Sequence, residues 1–501
     1  MNIIKGELGE RIKLNRARLS DPIYNPPKLF EKHGEWPGDF EGRAILSLCS
    51  LYEAEKDDKA ENESIRRQLK AIFDVLPNFL NEHKYFGPVF NTLFVNEQQV
   101  AGNSWYLRGL IAYYKITGDE KYLDWVKQIT KEFLIPLAPY FDFYPLAKRA
   151  IGGVGGALEG SIINKWQVST DVGCAFIMLD GYTAAYDLTK DVELLPAIEN
   201  IITVFQQTDF VKLGWQTHAS LSATRGVLRF YKTTGNKEYL EYAKKNVERY
   251  LNEGMTYDFA NFNWFHRENS WTEPCCIIDS LILFKTLYEL TGEERYLDIF
   301  NKAYINSLRT FQRDNGGAGC STCAHDDNYV IKPYLYEAFF CCTMRMGEGF
   351  DKMASFDLVP QKDGSYFAPY PVHLLKKIDG NQLEIDADIY NSERITVKTD
   401  KPCKLVIYVP EGFSLIKKYP SCQLKMNRLF IEITGKGSFD FEYNITVKRK
   451  GNLKFYGDML LSKKDNPTEG KTFIIDGEEY SYLNDNRKFS KEELEKTEQH
   501  L

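Results

Sequence analysis

Between about Phe40 and Ala354, apolar residues recur three and four positions apart, which places them on one face of an α-helix. A short phrase punctuates this stretch. It reads Thr117-Gly118-Asp119 with Tyr122-Leu123, Thr234-Gly235-Asn236 with Tyr239-Leu240, and Thr291-Gly292-Glu293 with Tyr296-Leu297. A degenerate copy, Leu188-Thr189-Lys190-Asp191 with Leu194-Leu195, follows the same plan. Glycine takes the left-handed conformation that ends one helix, and the acidic or amide residue after it starts the next. The Tyr-Leu pair of that next helix is expected to face inward. Copies spaced roughly 45 to 70 residues apart predict stacked helical hairpins with variable loops. Such hairpins form an open solenoid or close into an (α/α) toroid. Long inserts rich in Gly and aromatic residues (Pro136 to Trp166, Tyr257 to Trp271, Asp314 to Tyr336) favour the toroid, because loops of that length on one rim build a pocket.

Beyond Ala354 the period changes. Asp363-Gly364 is a turn signal, and short alternating segments follow at Ser365–Tyr370, Gln382–Ile389, Arg394–Thr399, Lys404–Val409, Leu429–Ile433 and Phe439–Val447. They predict an antiparallel β-sandwich of roughly a hundred residues. The segment from Lys463 onward is polar and charged, and is expected to end in a solvated helix over Lys491–Glu498.

With 43% hydrophobic and 27% charged residues and no low-complexity tract, the chain can bury a large core. Its net charge of -7 argues against nucleic acid or an anionic membrane as partner, since either wants a basic patch. No apolar run approaches the ~20 residues of a membrane span. The charged stretch Met1 to Arg18 lacks the apolar region of a signal peptide, so a cytoplasmic location is expected unless a leader has been removed. Tyr, Phe and Trp make up 14% of the chain, which suits stacking on sugars but serves helical cores equally well.

The ten cysteines matter through their clustering rather than their number. Cys49 and Cys174 in helices, and Cys403 and Cys422 in strands, read as small buried hydrophobes. Glu273-Pro274-Cys275-Cys276, Cys320-Ser321-Thr322-Cys323 and Cys341-Cys342 are different, because thiolates and a carboxylate together form a donor set that zinc prefers. A vicinal pair such as Cys341-Cys342 rarely closes a disulfide, which leaves metal ligation or chance. Cys320 and Cys323, in a Gly-rich loop with His325 and Asp326, are open to a second metal, to completing the first site, or to coincidence.

In these motifs the chain resembles the β-L-arabinofuranosidases of glycoside hydrolase family 127 and their relatives. The family's Glu-x-Cys motif is matched by Glu273-Pro274-Cys275, its Cys-Cys pair followed by arginine by Cys341-Cys342-Thr343-Met344-Arg345, and its Asp-Gly-x-Tyr by Asp363-Gly364-Ser365-Tyr366. The resemblance implies an (α/α)6 barrel over residues 1–357, a β-sandwich over 358–462 and a polar extension over 463–501. It implies one Zn2+ held by Glu273, Cys275, Cys341 and Cys342, with Cys341 also the nucleophile of a retaining, exo-acting glycoside hydrolase acting on arabinofuranoside-like sugars of polysaccharide fragments. The family's acid/base Glu falls on Tyr257, so Asp258 is taken as its substitute, with Tyr257, Glu268 or a carboxylate from elsewhere in the chain as alternatives. Substrate contacts are expected from His218, Trp264, His266, Trp271, Glu97, Asn103 and Arg345, with Arg267 nearby. Asparagines stand where the family carries pocket histidines around Asn96 and Asn103. The partner expected is a carbohydrate, and a homo-oligomer remains open. The rival readings are a non-catalytic glycan-binding protein with a structural zinc, and a barrel lyase that needs no thiolates.

Overall fold

The computed structural model describes residues 2–31, 36–54, 57–147, 157–324, 337–463 and 472–482. Six helices form a closed inner ring: Asp39–Ala54, Glu97–Thr117, Met178–Thr189, Thr217–Thr234, Pro274–Thr291 and Cys342–Ala354, each packed on the next and the last on the first. Outside them lie Lys59–Val75, Glu120–Ile129, Leu195–Gln207, Lys237–Glu253 and Glu294–Ala303, each against its preceding inner helix. This is the (α/α)6 barrel, and the repeated phrase builds it as expected. Gly118, Gly235 and Gly292 end inner helices with φ of 67°, 74° and 69°. The Asp119 and Asn236 side chains then accept the N–H of Lys121 and Glu238, capping the outer helices. The Tyr-Leu pair is fully buried only at Tyr296-Leu297; at Tyr239-Leu240 both residues are half-buried.

The sixth outer helix comes from the other end of the chain. Gly6–Arg18 packs against Cys342–Ala354 and completes the ring. Its buried face is partly polar. Arg11 pairs with Glu7, Asn15 donates to the carbonyls of Gly316 and Thr343 at 3.1 and 2.9 Å, and Arg16 donates to Gln68 at 2.9 Å.

Inner helices approach closely where side chains vanish. A Cβ on Gly42 would lie 2.2 Å from the backbone nitrogen of Tyr106, and one on Gly109 would lie 2.8 Å from the carbonyl oxygen of Gly42. The barrel axis is filled by charge. Arg108, Arg225 and Arg345 share the carboxylates of Asp180, Asp279 and Glu348, all buried.

Two sheets follow. One runs in the order Asn2–Lys5, His373–Ile378, Asn381–Asp386, Arg394–Thr399, Gly437–Ile445, Phe413–Leu415. The other runs Cys422–Lys425, Arg428–Ile433, Cys403–Tyr408, Tyr366–Ala368, Val359–Pro360. All pairings are antiparallel except Tyr366–Ala368 beside Cys403–Tyr408. Alternating burial along Cys403–Tyr408 and Arg428–Ile433 turns one face of the second sheet into the core, giving the C-terminal β-sandwich. A third sheet pairs Val447–Lys450, Leu453–Tyr456 and Met459–Lys463 with Glu478–Tyr482 and Phe473–Ile475. Part of the segment expected to be a polar extension is therefore strand. The helix expected at Lys491–Glu498 lies outside the described residues.

Candidate metal centre and active-site cavity

Five of the six inner helices begin at one cavity, of about 90 Å³, at a mouth of the barrel. Asp39 and Arg43 reach it from the start of Asp39–Ala54, and Cys174 and Ile177 from the turn before Met178–Thr189. Gln216 and His218 open Thr217–Thr234, Glu273 precedes Pro274–Thr291, and Cys341 precedes Cys342–Ala354. Trp36, Phe40, Phe340 and Asp171 complete the wall.

The helix starts gather the cysteine cluster. Donor atoms of Glu273, Cys275, Cys341 and Cys342 all lie within 4.8 Å of one another. The Cys275 and Cys342 sulfurs are 3.4 Å apart, and those of Cys341 and Cys342 are 3.5 Å apart. A tetrahedral zinc with Zn–S of about 2.3 Å would hold its sulfurs roughly 3.8 Å apart, so the cluster is of the right size and donor type for a soft divalent cation. Burial pushes the Cys275 and Cys342 thiols well above the ordinary cysteine range.

Positive groups surround these donors. Glu273 and Cys341 are N-cap residues and Cys342 is the first residue of its helix, so helix N-termini face the anions. Arg43 donates to the Cys275 sulfur at 3.4 Å, while its guanidinium grips both oxygens of Asp39 and lies 4.0 Å over the Trp105 ring. Glu273 accepts from the Gln216 amide at 3.3 Å, and its other oxygen lies 3.3 Å from His218 Nδ1. His218 Nε2 is 3.3 Å from Asp279, and its ring stacks on Trp105. Burial works against a charge on His218, but Glu273 and Asp279 outweigh it and raise its pKa above the ordinary imidazole value. Burial, followed by the Glu273 carboxylate, pushes Asp171 up to about 7.

Among the three clustered cysteines, access differs. Cys275 and Cys342 are buried behind the wall, whereas Cys341 is part-exposed and lines the cavity. Cys320 is buried outside the four-residue donor set, while Cys323 faces the Asn261 carbonyl at 3.6 Å and the Ser270 hydroxyl at 3.9 Å. The two halves of that motif therefore do not share a site. His325 and Asp326 lie outside the described residues.

Of the expected substrate contacts, His218 is the one that lines the cavity. Glu97 is fully buried and accepts from the Ser169 N–H at 2.7 Å and from the Tyr144 hydroxyl, anchoring the segment before Asp171. Asn103 bonds the backbone of Phe86 and Gln99. Trp264 and Trp271 pack edge to face at 5.0 Å outside the cavity wall. His266 points outward near Glu253. Arg345 belongs to the axial charge cluster, where Asp279 and Glu348 occupy its guanidinium. Asp258, expected as the acid/base, is likewise placed away from the cavity. Its carboxyl is fully buried, accepts the Thr256 hydroxyl at 2.5 Å, and does not line the cavity. Tyr257 and Glu268 do not line it either.

The wall residues not anticipated, Asp39, Arg43, Asp171 and Gln216, carry weak sequence signals. Asp39 and Arg43 stand four apart at a helix start, a spacing common to ordinary surface ion pairs. Asp171 looks like a turn residue in Ser169-Thr170-Asp171-Val172-Gly173.

A family model described as the β-L-arabinofuranosidase GH127 catalytic domain matches residues 84–355, more than half of the 501-residue chain. Among solved structures, a glycoside hydrolase superimposes with a TM-score of 0.63 at 12% identity, covering 92% of this chain and 81% of its own. The GH127 β-L-arabinofuranosidase of Geobacillus stearothermophilus T6 does so with a TM-score of 0.55 at 12% identity, over 90% and 80%. A further GH127 β-arabinofuranosidase gives 0.57 at 12% identity, over 90% and 79%. No curated protein sequence gives a significant match. With the matched span carrying the helix starts that bring Glu273, Cys275, Cys341 and Cys342 together under one cavity, the chain belongs to the GH127 β-L-arabinofuranosidase catalytic-domain family of glycoside hydrolases.

Proposed function

We propose that the protein is a retaining, exo-acting glycoside hydrolase in which Cys341 attacks the anomeric carbon of a terminal arabinofuranoside-like sugar. The observation that carries this reading is the unequal access of three clustered cysteines, with only Cys341 open to the cavity. A nucleophile must reach substrate, whereas a ligand need not. A purely structural metal site, as in a non-catalytic glycan-binding protein, would have no reason to expose one sulfur to a cavity.

The donor set of Glu273, Cys275, Cys341 and Cys342 fits zinc. When bound there, zinc would keep the thiols deprotonated near neutrality despite their burial. The rest of the chemistry falls to the protein. Cys341 Sγ bonds the anomeric carbon as the glycosidic oxygen leaves with a proton supplied from the cavity wall. Water then displaces the sulfur, so two inversions leave the configuration retained. Arg43, His218 and the helix N-termini offset the negative charge of the donor set. A cavity of about 90 Å³ suits a single sugar at a chain end better than a polymer running through, which supports the exo mode. The choice of sugar rests on the family and on what its structural relatives are named for.

Metal analysis of the reduced protein should find about one zinc per chain. Cys341→Ser should abolish release of nitrophenol from a nitrophenyl β-L-arabinofuranoside while the circular dichroism spectrum is kept. Turnover that survives in Cys341→Ser removes Cys341 as nucleophile.

A further inference from the structure

Hydrolysis by this route needs a group that gives a proton to the leaving oxygen and later takes one from water. Three carboxyls line the cavity, those of Asp39, Asp171 and Glu273. Asp39 is gripped by Arg43 at 2.6 and 3.1 Å, which fixes it as an anion. Glu273 belongs to the metal donor set and already faces Gln216 and His218. The Asp171 carboxylate has neither a hydrogen-bond donor nor an ion-pair partner among the described residues, so both its oxygens are free to meet a ligand.

The backbone that carries Asp171 is held firmly. Its N–H donates to the Ser169 hydroxyl at 3.1 Å, and its carbonyl accepts from Cys174 at 3.0 Å. Glu97 fixes Ser169, and Gly173, with φ of 92°, presses on Trp215 so tightly that a Cβ there would lie 2.3 Å from the ring. An unpaired carboxyl on a rigid turn, facing the same small cavity as the open sulfur, is what proton transfer in place requires.

We propose that Asp171 is the acid/base catalyst of this site, an inference that rests on Cys341 being the nucleophile. In the first step the Asp171 carboxyl gives its proton to the glycosidic oxygen as the bond from that oxygen to the anomeric carbon breaks and the Cys341 sulfur–carbon bond forms. In the second, the Asp171 carboxylate takes a proton from water as the water oxygen bonds the anomeric carbon and the sulfur–carbon bond breaks. Asp171 ends protonated and Cys341 ends as thiolate.

The test uses the zinc-loaded full chain and the variant Asp171→Asn with two β-L-arabinofuranosides, one bearing 2,4-dinitrophenol and one bearing 4-methoxyphenol. The good leaving group needs no proton, and the poor one does. Asp171→Asn should lose at least about 100-fold in kcat/KM on the poor leaving group and little on the good one. With the dinitrophenyl substrate a glycosyl adduct should build up on Cys341, visible by mass spectrometry of the digested protein. Added azide should restore turnover and give a glycosyl azide. Asp39→Asn serves as control and should lose activity, if at all, equally on both substrates. If Asp171→Asn cleaves the poor leaving group within a few fold of the parent, or loses both substrates equally, Asp171 is not the acid. An adduct mapped to any residue other than Cys341 overturns the nucleophile instead, so the two failures are told apart. Should Asp171→Asn fold poorly, Asp171→Glu replaces it and must show the same dependence on leaving group, or the assignment falls.

Discussion

Arg43 Nη1 lies 3.4 Å from the sulfur of Cys275, a residue 232 positions later in the chain. The same guanidinium is clamped by Asp39 and laid over Trp105, so it meets the sulfur without freedom to swing away. One fixed positive charge thus stands beside a donor set that carries up to four negative ones when its thiols are deprotonated.

Removing that charge should weaken the metal site before it weakens the fold. Arg43→Met keeps the apolar length of the side chain over Trp105 and is expected to lower zinc affinity about 10-fold, the lower end for partners just outside a metal's own ligands. Competition against a chromophoric chelator measures it. Unchanged affinity would mean the arginine serves the cavity wall alone.

Glu97 was a natural candidate for a sugar contact, yet it is spent on Ser169 and Tyr144. Glu97→Gln should therefore cost about 1–3 kcal/mol of stability, read as a lower melting temperature, with zinc content unchanged. A variant that melts like the parent and is defective only in KM would return Glu97 to the substrate.

Arg345 follows the motif cysteines directly, but its partners are Asp279 and Glu348. Burial alone would raise the Asp279 carboxyl, yet Arg345 and Arg225 hold it well below the ordinary range. Arg345→Met strands those carboxylates and should destabilise the barrel by about 3–5 kcal/mol. Urea denaturation checks this, and a change in sugar affinity at full stability would contradict it.

A pH effect is expected at the seam between barrel and sandwich. Asp458 is fully enclosed there, with its carbonyl accepting from Asn306 at 2.8 Å and its carboxylate from Tyr408 at 2.8 Å. Burial, then the Asp298 carboxylate, raise its pKa from 3.8 to about 7. Because the folded value lies above the unfolded one, this group favours the folded state below about pH 4, and that contribution is lost as pH rises through about 7. Asp458→Asn should melt above the parent at about pH 8 and alongside it at about pH 4, in matched thermal scans. A gap that is the same at both values would show that Asp458 does not titrate in this range.

The helical repeat was legible because helix endings are local: Gly118, Gly235 and Gly292 announce a left-handed residue wherever they stand. The cysteine-rich motifs stood out by residue type, and the choice of Glu273, Cys275, Cys341 and Cys342 among them came from the resemblance to the family's Glu-x-Cys and Cys-Cys pattern. Gly6–Arg18 was not, because its inward face carries Arg11, Asn15 and Arg16, and an apolar stripe is what periodicity detects. The cavity wall stayed hidden for a related reason. Asp39, Asp171 and Gln216 are ordinary polar residues near helix starts, indistinguishable from caps until the ring closes and aims them at one point. For Trp264, His266 and Trp271, nearness in sequence to Glu273 did not translate into a place on the cavity wall.

The first strand, Asn2–Lys5, pairs with His373–Lys376, and the helix after it closes the barrel beside Cys342–Ala354. Residues 2–18 can take their place only once residues 342–376 are there to receive them. The ring therefore cannot shut, nor the donor set of Glu273, Cys275, Cys341 and Cys342 be complete, before the chain has been made past Cys342, and the first strand finds its partner only past His373. A chain stopped before Cys341 would hold Glu273 and Cys275 without the other half of the donor set.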